Sequence, residues 1–487
     1  MSEPPESARA EIGVLDAGRG FWAALLGLAA ASILLRIPFF DVPMITDEGG
    51  YSYVAHFWSS DYELYRDIPF YRPQAIFYLY QAVFATLGDD VFAIRLFAGL
   101  FNAVTVVAMG MVARAVFSPR IGLFAAGIFA LFSVGPSMEG FTANGEIFAQ
   151  LPIVLSALLA WRKQWAWAGL AAAGAFLLKP SGLSALVLAG GWAFASGASF
   201  RGAFKVGLTF GIGLLPSILH GAWIGWEYYW ESMVTHRVKY ATEESRALGT
   251  QLARLAAGAG NTVASWGLPA AFSLAGLARK LGRPELFGLM WLGSSIVGMA
   301  MGGFWFEHYF IQLLPPLALL GGAGLVRWPK NRSGLLLGVP LLLATWAFAG
   351  EIPLWAADPE EISWRIYEKP TYLVSQEVAD YVASNTDEDD SIFVAFSQAQ
   401  VYYLARRKAS FPHMYYADFA YSQELFDGAL ESIRDRVPAM IVVFQPPPEN
   451  RMTGNAFMTM LSEGYEQVHV VRLERTNAVT AIIFRRK

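Results

Sequence analysis

Eleven apolar runs, near residues 21–40, 91–113, 121–137, 147–161, 164–178, 181–197, 204–224, 261–278, 286–303, 309–326 and 333–350, decide what this chain can become. A spanning helix needs roughly 20 apolar residues, and shorter ones are tolerated inside a bundle. With 55% of 487 residues hydrophobic and only 16% charged, the runs predict a polytopic α-helical membrane protein. The stretch 75–87 is apolar but short and follows Pro73; it is read as a helix lying at the interface or half inserted. The membrane part covers 21–355. Before it, residues 1–20 are polar, with Glu3, Glu6, Glu11 and Asp16, and lack the basic start and cleavage site of a signal peptide. The first helix is therefore expected to remain as an anchor.

Orientation is written in where Lys and Arg fall, so the formal net charge of −4 says little. Alternate turns hold Arg114 and Arg120, Arg162 and Lys163, Arg201 and Lys205, Arg279, Lys280 and Arg283, then Arg327, Lys330 and Arg332. The turns between them carry Asp47, Glu48, Glu139, Glu146, Glu227, Glu231 and Glu307. The positive-inside rule then gives a cytoplasmic N-terminus, eleven spans of a cell membrane and a C-terminal region on the extracytoplasmic side. Trp223, Trp226, Tyr228, Tyr229 and Trp230 at one boundary, and Trp161, Trp165 and Trp167 at another, fit interfacial belts, which fix depth and not function.

From about residue 370 the pattern changes to that of a water-soluble domain, 370–487. Helices are expected at 373–384, 423–434 and 456–463, and strands at 391–396, 439–444, 467–473 and 479–484. This makes a small α/β layer domain, large enough to hold its own core. It has no glycine-rich phosphate loop, so nucleotide binding is not supported and nucleic acid is not among the expected partners. Cysteine is absent, which excludes disulfides, thiolate metal sites and a cysteine nucleophile.

In this topology polar residues from distant stretches share one membrane depth: Asp47, Glu48, Arg72, Arg95, Asn144, Glu146, Lys179, Glu307 and His308. Intramembrane acids are costly, so Asp47 and Glu48 are candidates for chemistry, against the plain alternative of a solvated loop. Gly49 and Gly50 after them let backbone approach a ligand closely. Arg72 is read either as an interfacial snorkeller or as a phosphate ligand. Lys179, ahead of Pro180, either meets the terminal carbonyls of its helix or contacts an anionic lipid head. Arg36 and Arg95 read as mainly positional. His308 reads first as a hydrogen-bonding group, because no paired-histidine metal spacing occurs; with Glu307 and another acid it would complete a weak divalent site. The loop 227–261, with Tyr228, Trp230, His236, Arg237 and Lys239, is expected to hold a mobile cover or acceptor contacts.

The segments Thr46-Asp47-Glu48-Gly49-Gly50-Tyr51, Leu64-Tyr65-Arg66-Asp67, Tyr71-Arg72-Pro73-Gln74 and Phe92-Ala93-Ile94-Arg95-Leu96, within the stretch 41–90 and just beyond it, resemble the first outer loop of family 39-like glycosyltransferases of the GT-C membrane fold. That group includes protein O-mannosyltransferases and lipid A aminoarabinose transferases. The resemblance extends to Leu178-Lys179-Pro180-Ser181-Gly182, to His308-Tyr309 with Leu313-Leu314-Pro315-Pro316, and to the C-terminal α/β domain. It implies transfer of one sugar, with inversion, from a polyprenyl-phosphate donor to a lipid, glycan or protein acceptor at the outer membrane face, amid membrane lipids. Carried onto these positions, Asp47 is the general base and Glu48 its orienting neighbour. Arg72 and Lys179, with Arg95, form the donor-phosphate group. Two departures stand out. Arg72-Pro73-Gln74 replaces a lysine-proline-proline stretch, and Asn144 and Glu146 stand where relatives supply an aspartate, which leaves open the second acid or acceptor ligand and any divalent metal ion.

Two rival readings are a lipid or sugar transporter and a non-catalytic assembly factor. Carrier sites lie near the midplane on broken helices and often follow internal repeats. Here the polar residues gather at one face and no repeat is visible.

Overall fold

The computed structural model of the chain describes residues 6–59, 62–236, 238, 248–278, 281–301, 305–328, 332–395, 398–415, 423–444 and 455–487. Arg237, Lys239, Arg279, Lys280 and Lys330, named above, lie outside them, as do Glu3 and position 396 at the end of the first expected strand. Each apolar run is helical over most of its described residues. The helices are α1 (Glu6–Leu34), α2 (Thr46–Phe57), α3 (Ala75–Thr86), α4 (Val91–Val116), α5 (Pro119–Phe132), α6 (Gly145–Trp161), α7 (Trp165–Leu178), α8 (Leu183–Ala195), α9 (Ser199–Ile224), α10 (Trp226–Trp230), α11 (Leu248–Leu277), α12 (Arg283–Ala300), α13 (Leu314–Val326) and α14 (Arg332–Ala349). Among the described residues five stretches are individually long and apolar enough to cross a membrane: Gly18–Phe39, Val91–Val116, Phe200–Ile224, Glu307–Val326 and Leu337–Ala356. Others, such as α5, α6 and α7, are shorter apolar helices.

The chain divides into two compact units. The first comprises Met1–Phe40, Arg95–Leu215 and Leu248–Ala356. On α9 the exposed residues Phe204, Leu208, Ile212 and Leu215 recur every three or four positions, which draws one apolar stripe facing outward. A soluble protein would hide such a stripe; in a membrane it is the face that lipid covers. On α13, by contrast, Leu314 through Gly324 are buried. Its glycines explain how. A Cβ at Gly324 would overlap the carbonyl of Phe272 on α11, so only a missing side chain lets the two backbones come this close.

The second unit comprises Asp41–Ile94, Pro216–Ala247 and Ala357–Lys487. Its C-terminal part holds α15 (Pro359–Tyr367), α16 (Pro370–Ser384), β1 (Ser391–Val394), α17 (Ala399–Leu404), β2 (Lys408–Ala409), α18 (Gln423–Arg436), β3 (Met440–Phe444), α19 (Asn455–Gly464), β4 (Tyr465–Leu473) and β5 (Ala478–Arg486). The sheet runs β2-β1-β3-β5-β4. β1 is parallel to both β2 and β3, while β5 is antiparallel to β3 and β4. The central strand β3, Met-Ile-Val-Val-Phe, is buried throughout, as a strand covered on both faces must be. Phe393, Ile441, Ile433, Leu430, Phe457 and Leu461 join sheet and helices in one core.

α2 corrects the sequence reading, which made 45–51 a loop whose glycines admit a ligand. The stretch is the first turns of a helix, and its glycines admit protein. A Cβ at Gly49 would overlap the backbone of Gln400 on α17, and one at Gly50 the hydroxyl of Tyr415. The backbone N–H of Ala409 donates to Tyr53 Oη at 3.0 Å, and Thr46 Oγ1 donates to Tyr372 Oη at 3.4 Å. The helix bearing Asp47 is thus built into the C-terminal α/β layers. Gly49→Ala is expected to destabilise this unit by about 1–3 kcal/mol through overpacking, although alanine is the better helix former by about 0.5–1 kcal/mol. The unfolding midpoint measures it; an alanine variant as stable as wild type contradicts the close approach.

Candidate active site

In the second unit, Ile45 has an extended backbone and α2 begins at Thr46, so Asp47 and Glu48 occupy the first turn. There the unpaired amides and the helix dipole favour negative charge. The two acids part company at once. Glu48 is fully buried and its Oε2 accepts from the Ile45 N–H at 3.3 Å, closing the start of its own helix. Asp47 is half-buried, with access to solvent. Glu48 thus closes its own helix start, while Asp47 keeps part of its surface open.

Arg72 is held from both sides. Its Nη1 donates to the Tyr71 carbonyl at 3.1 Å and its Nε to Tyr51 Oη at 3.4 Å. Tyr65, with a left-handed backbone (φ 74°), donates from its hydroxyl to the Arg72 carbonyl at 2.7 Å. Tyr51 lies one turn after Asp47 on the same face of α2, so acid and cation belong to one local framework. Gln74, the departure noted in the sequence, is buried and accepts from Ser217 Oγ at 2.6 Å, with His220 Nδ1 2.7 Å from its amide nitrogen. That ties the Arg72 loop to the end of α9. Farther along α2, burial first and the charge of Arg406 second hold His56 below its ordinary pKa, against the pull of Asp89. Burial pushes Tyr403 up to about 12, so it stays a neutral hydroxyl.

In the first unit the structure assembles a buried charge cluster. Asn144 caps α6, its Oδ1 accepting from the Gly145 N–H at 2.7 Å. Glu146 follows in the first turn. The chain leaves α7 at Lys179 through the Pro180–Gly182 turn, and Lys179 Nζ lies 2.6 Å from Glu146 Oε1. The lysine also stands 5.2 Å from the centre of the Tyr309 ring, a cation-π distance. Neither sequence reading of Lys179 foresaw this pairing with Glu146. His308 faces two acids: Nδ1 is 3.2 Å from Glu139 Oε2, and Nε2 is 3.9 Å from Glu146 Oε1.

Glu139 is the residue that sequence reasoning missed as a site group. It has a left-handed backbone (φ 55°) at the end of the Pro136–Met138 turn, a conformation uncommon outside glycine and asparagine. Arg36, fully buried, braces that turn by donating from Nη2 to the carbonyls of Ser133 at 3.0 Å and Gly140 at 2.8 Å. This internal brace differs from the reach to outer headgroups on which its positional reading was based. Arg95 is likewise fully buried; its Nη1 donates to the carbonyls of Phe39 at 3.0 Å and Phe40 at 3.3 Å, and it stands over Phe141. Glu307 accepts from Asn261 Nδ2 at 3.3 Å, while His308 meets Glu139 and Glu146. Among the described residues no group of three histidine or acidic side chains is placed to hold a metal ion. The sequence reading of 227–261 as a loop is corrected where the stretch is described: it runs through α10, a π-helical turn Glu231–Thr235 and the start of α11, and His236 is stacked on Tyr71, ring centres 3.4 Å apart.

No family model and no curated protein matches the chain by sequence. In three dimensions it is similar to ArnT from Cupriavidus metallidurans in the apo state, with a TM-score of 0.65 and 13% identity over 96% of this chain and 98% of that one. It is equally similar to the same protein bound to undecaprenyl phosphate, at TM-score 0.65 and 13% identity over 95% and 98%. The archaeal oligosaccharyltransferase AglB from Archaeoglobus fulgidus, in complex with an inhibitory peptide and a dolichol-phosphate, matches at TM-score 0.50 and 12% identity over 87% of this chain and 69% of that one. The likeness runs end to end through membrane helices and C-terminal domain alike. The chain shares its fold with these structures: it is a polytopic helical membrane protein with a strand-containing C-terminal domain.

Proposed function

We propose that this chain is a membrane glycosyltransferase that moves a single sugar from a polyprenyl-phosphate donor to an acceptor hydroxyl at the outer face of the membrane, with inversion. The observation that carries the reading is the end-to-end fold likeness to ArnT, a protein solved with undecaprenyl phosphate bound. The local chemistry agrees with it. As the acceptor oxygen attacks the anomeric carbon, its proton passes to the Asp47 carboxylate, and the bond from that carbon to the phosphate oxygen breaks. The leaving lipid phosphate takes the bonding pair and needs charge stabilisation more than a proton. Arg72 and Lys179 are the cations of the reading. Arg72 supplies a planar fork matched to phosphate oxygens, and its ties to Tyr51 and Tyr71 hold it in place before a ligand arrives. Glu48 keeps the first turn of α2 in shape, so the carboxylate beside it keeps its aim.

The test uses purified protein in liposomes with a panel of polyprenyl-phosphate sugars, following release of the lipid phosphate. Consumption of at least one donor, coupled to a glycosylated acceptor, is the expected result. A protein that consumes none of them but carries the substrate across the bilayer belongs to the transporter class instead.

A further inference from the structure

Between β2 and α18, the short segment Phe411–Tyr415 of the C-terminal domain reaches both stretches that hold the proposed acid and cation. On one side His413 Nδ1 lies 2.9 Å from Tyr71 Oη. Tyr71 is stacked from another direction by His236, with planes 1° apart. Tyr71 precedes Arg72 and its carbonyl receives the arginine's Nη1, so whatever fixes Tyr71 fixes Arg72. On the other side Tyr415 stands edge-on to Phe70, ring centres 5.5 Å apart. Its hydroxyl occupies the space that a Cβ at Gly50 would need. Gly50 is three residues after Asp47, hence its neighbour on the helix surface. Phe70 in turn contacts Tyr51 at 5.9 Å, the residue that meets Arg72 Nε. Two residues of one short segment, His413 and Tyr415, therefore touch the acid's helix and the arginine's loop together.

We propose that Phe411–Tyr415 is a positioning element: Tyr415 and His413 set the spacing between Asp47 and Arg72, making the C-terminal domain part of the catalytic apparatus and not only a cap on the bundle. The inference rests on the reading of Asp47 as base and Arg72 as donor-phosphate ligand. Groups held to within a fraction of an ångström convert binding into rate, and a misplacement of about 1 Å costs on the order of 100-fold.

Steady-state kinetics on purified full-length protein, with a polyprenyl-phosphate sugar that wild type consumes, tests it. Tyr71→Phe and His413→Phe each remove one half of the hydroxyl–imidazole contact and keep a ring. Each is expected to raise the donor KM on the order of tenfold, and the double variant no more than either single one, because both delete the same contact. Gly50→Ala is expected to lower kcat by a similar factor, and Tyr415→Phe in the same chain to restore part of it by removing the overlapping hydroxyl. In the two ring variants a purely structural role gives a different signature: fewer active molecules, a lower apparent kcat and a donor KM equal to wild type. KM values unchanged in both ring variants overturn the inference while the transferase reading stands. Wild type that consumes no polyprenyl donor sinks the reading and the inference with it.

Discussion

Asp47→Asn is expected to reduce sugar transfer by about 10²–10⁴-fold, the range that a positioned proton acceptor supplies, with donor binding retained. The amide has the shape of the acid but cannot take the acceptor's proton. The fold should survive, because Asp47 is half-buried at a helix start and the helix-dipole share of its charge is only about 0.3–1 kcal/mol. Glu48→Gln makes the control. Its buried side chain accepts from the Ile45 N–H, and the amide oxygen can accept in its place, so turnover should fall far less. Both are read by initial rates of lipid-phosphate release. Full turnover in the Asp47 variant removes the base from the mechanism.

Lys179→Met should cost about 3–5 kcal/mol of stability, the usual result of stranding one partner of a buried ion pair. The pair is well hidden, with side-chain exposures of 5% for Lys179 and 0% for Glu146. Removing the cation leaves Glu146 and Glu139 sharing His308 as their remaining nearby counter-group in this cluster. Glu146→Gln in the same chain should recover most of the loss, because a neutral amide no longer needs the lysine. Unfolding in detergent, followed by tryptophan fluorescence, gives the three midpoints. A single variant within about 1 kcal/mol of wild type would show that water or rearrangement already screens the pair. Measuring donor binding alongside separates this structural share from any contact Lys179 makes with phosphate.

The periodic features of the chain were legible and the non-local ones were not. Helix α18 and strand β3 fall within a residue or two of expectation, since alternation and helical spacing report directly on the core they face. α15 went unread despite Asp358 as its cap and Pro359 at its first position, because it is short. β2 has two residues, too few for any pattern. α2 was misread because paired glycines disfavour helix locally, and only the backbone of Gln400, far along the chain, explains them. In the site, the acids and cations were visible as residue types near predicted helix ends. Their partners were not: nothing local to Lys179 announces Glu146, and the left-handed turn that aims Glu139 at His308 leaves no mark in composition.

The insertion of α2 into the C-terminal layers also sets a clock on biosynthesis. Tyr53 waits for Ala409, 356 residues downstream, before its hydroxyl meets the amide it will bond. At translation speeds of about 5–20 residues per second the delay is roughly 20–70 s, during which membrane helices can already have been inserted. A nascent or prematurely terminated chain thus carries its acidic helix without the scaffold that shapes it. Ribosomes that stall before β2 would release a protein with its helices in lipid and with α2 lacking the Ala409 amide that Tyr53 bonds.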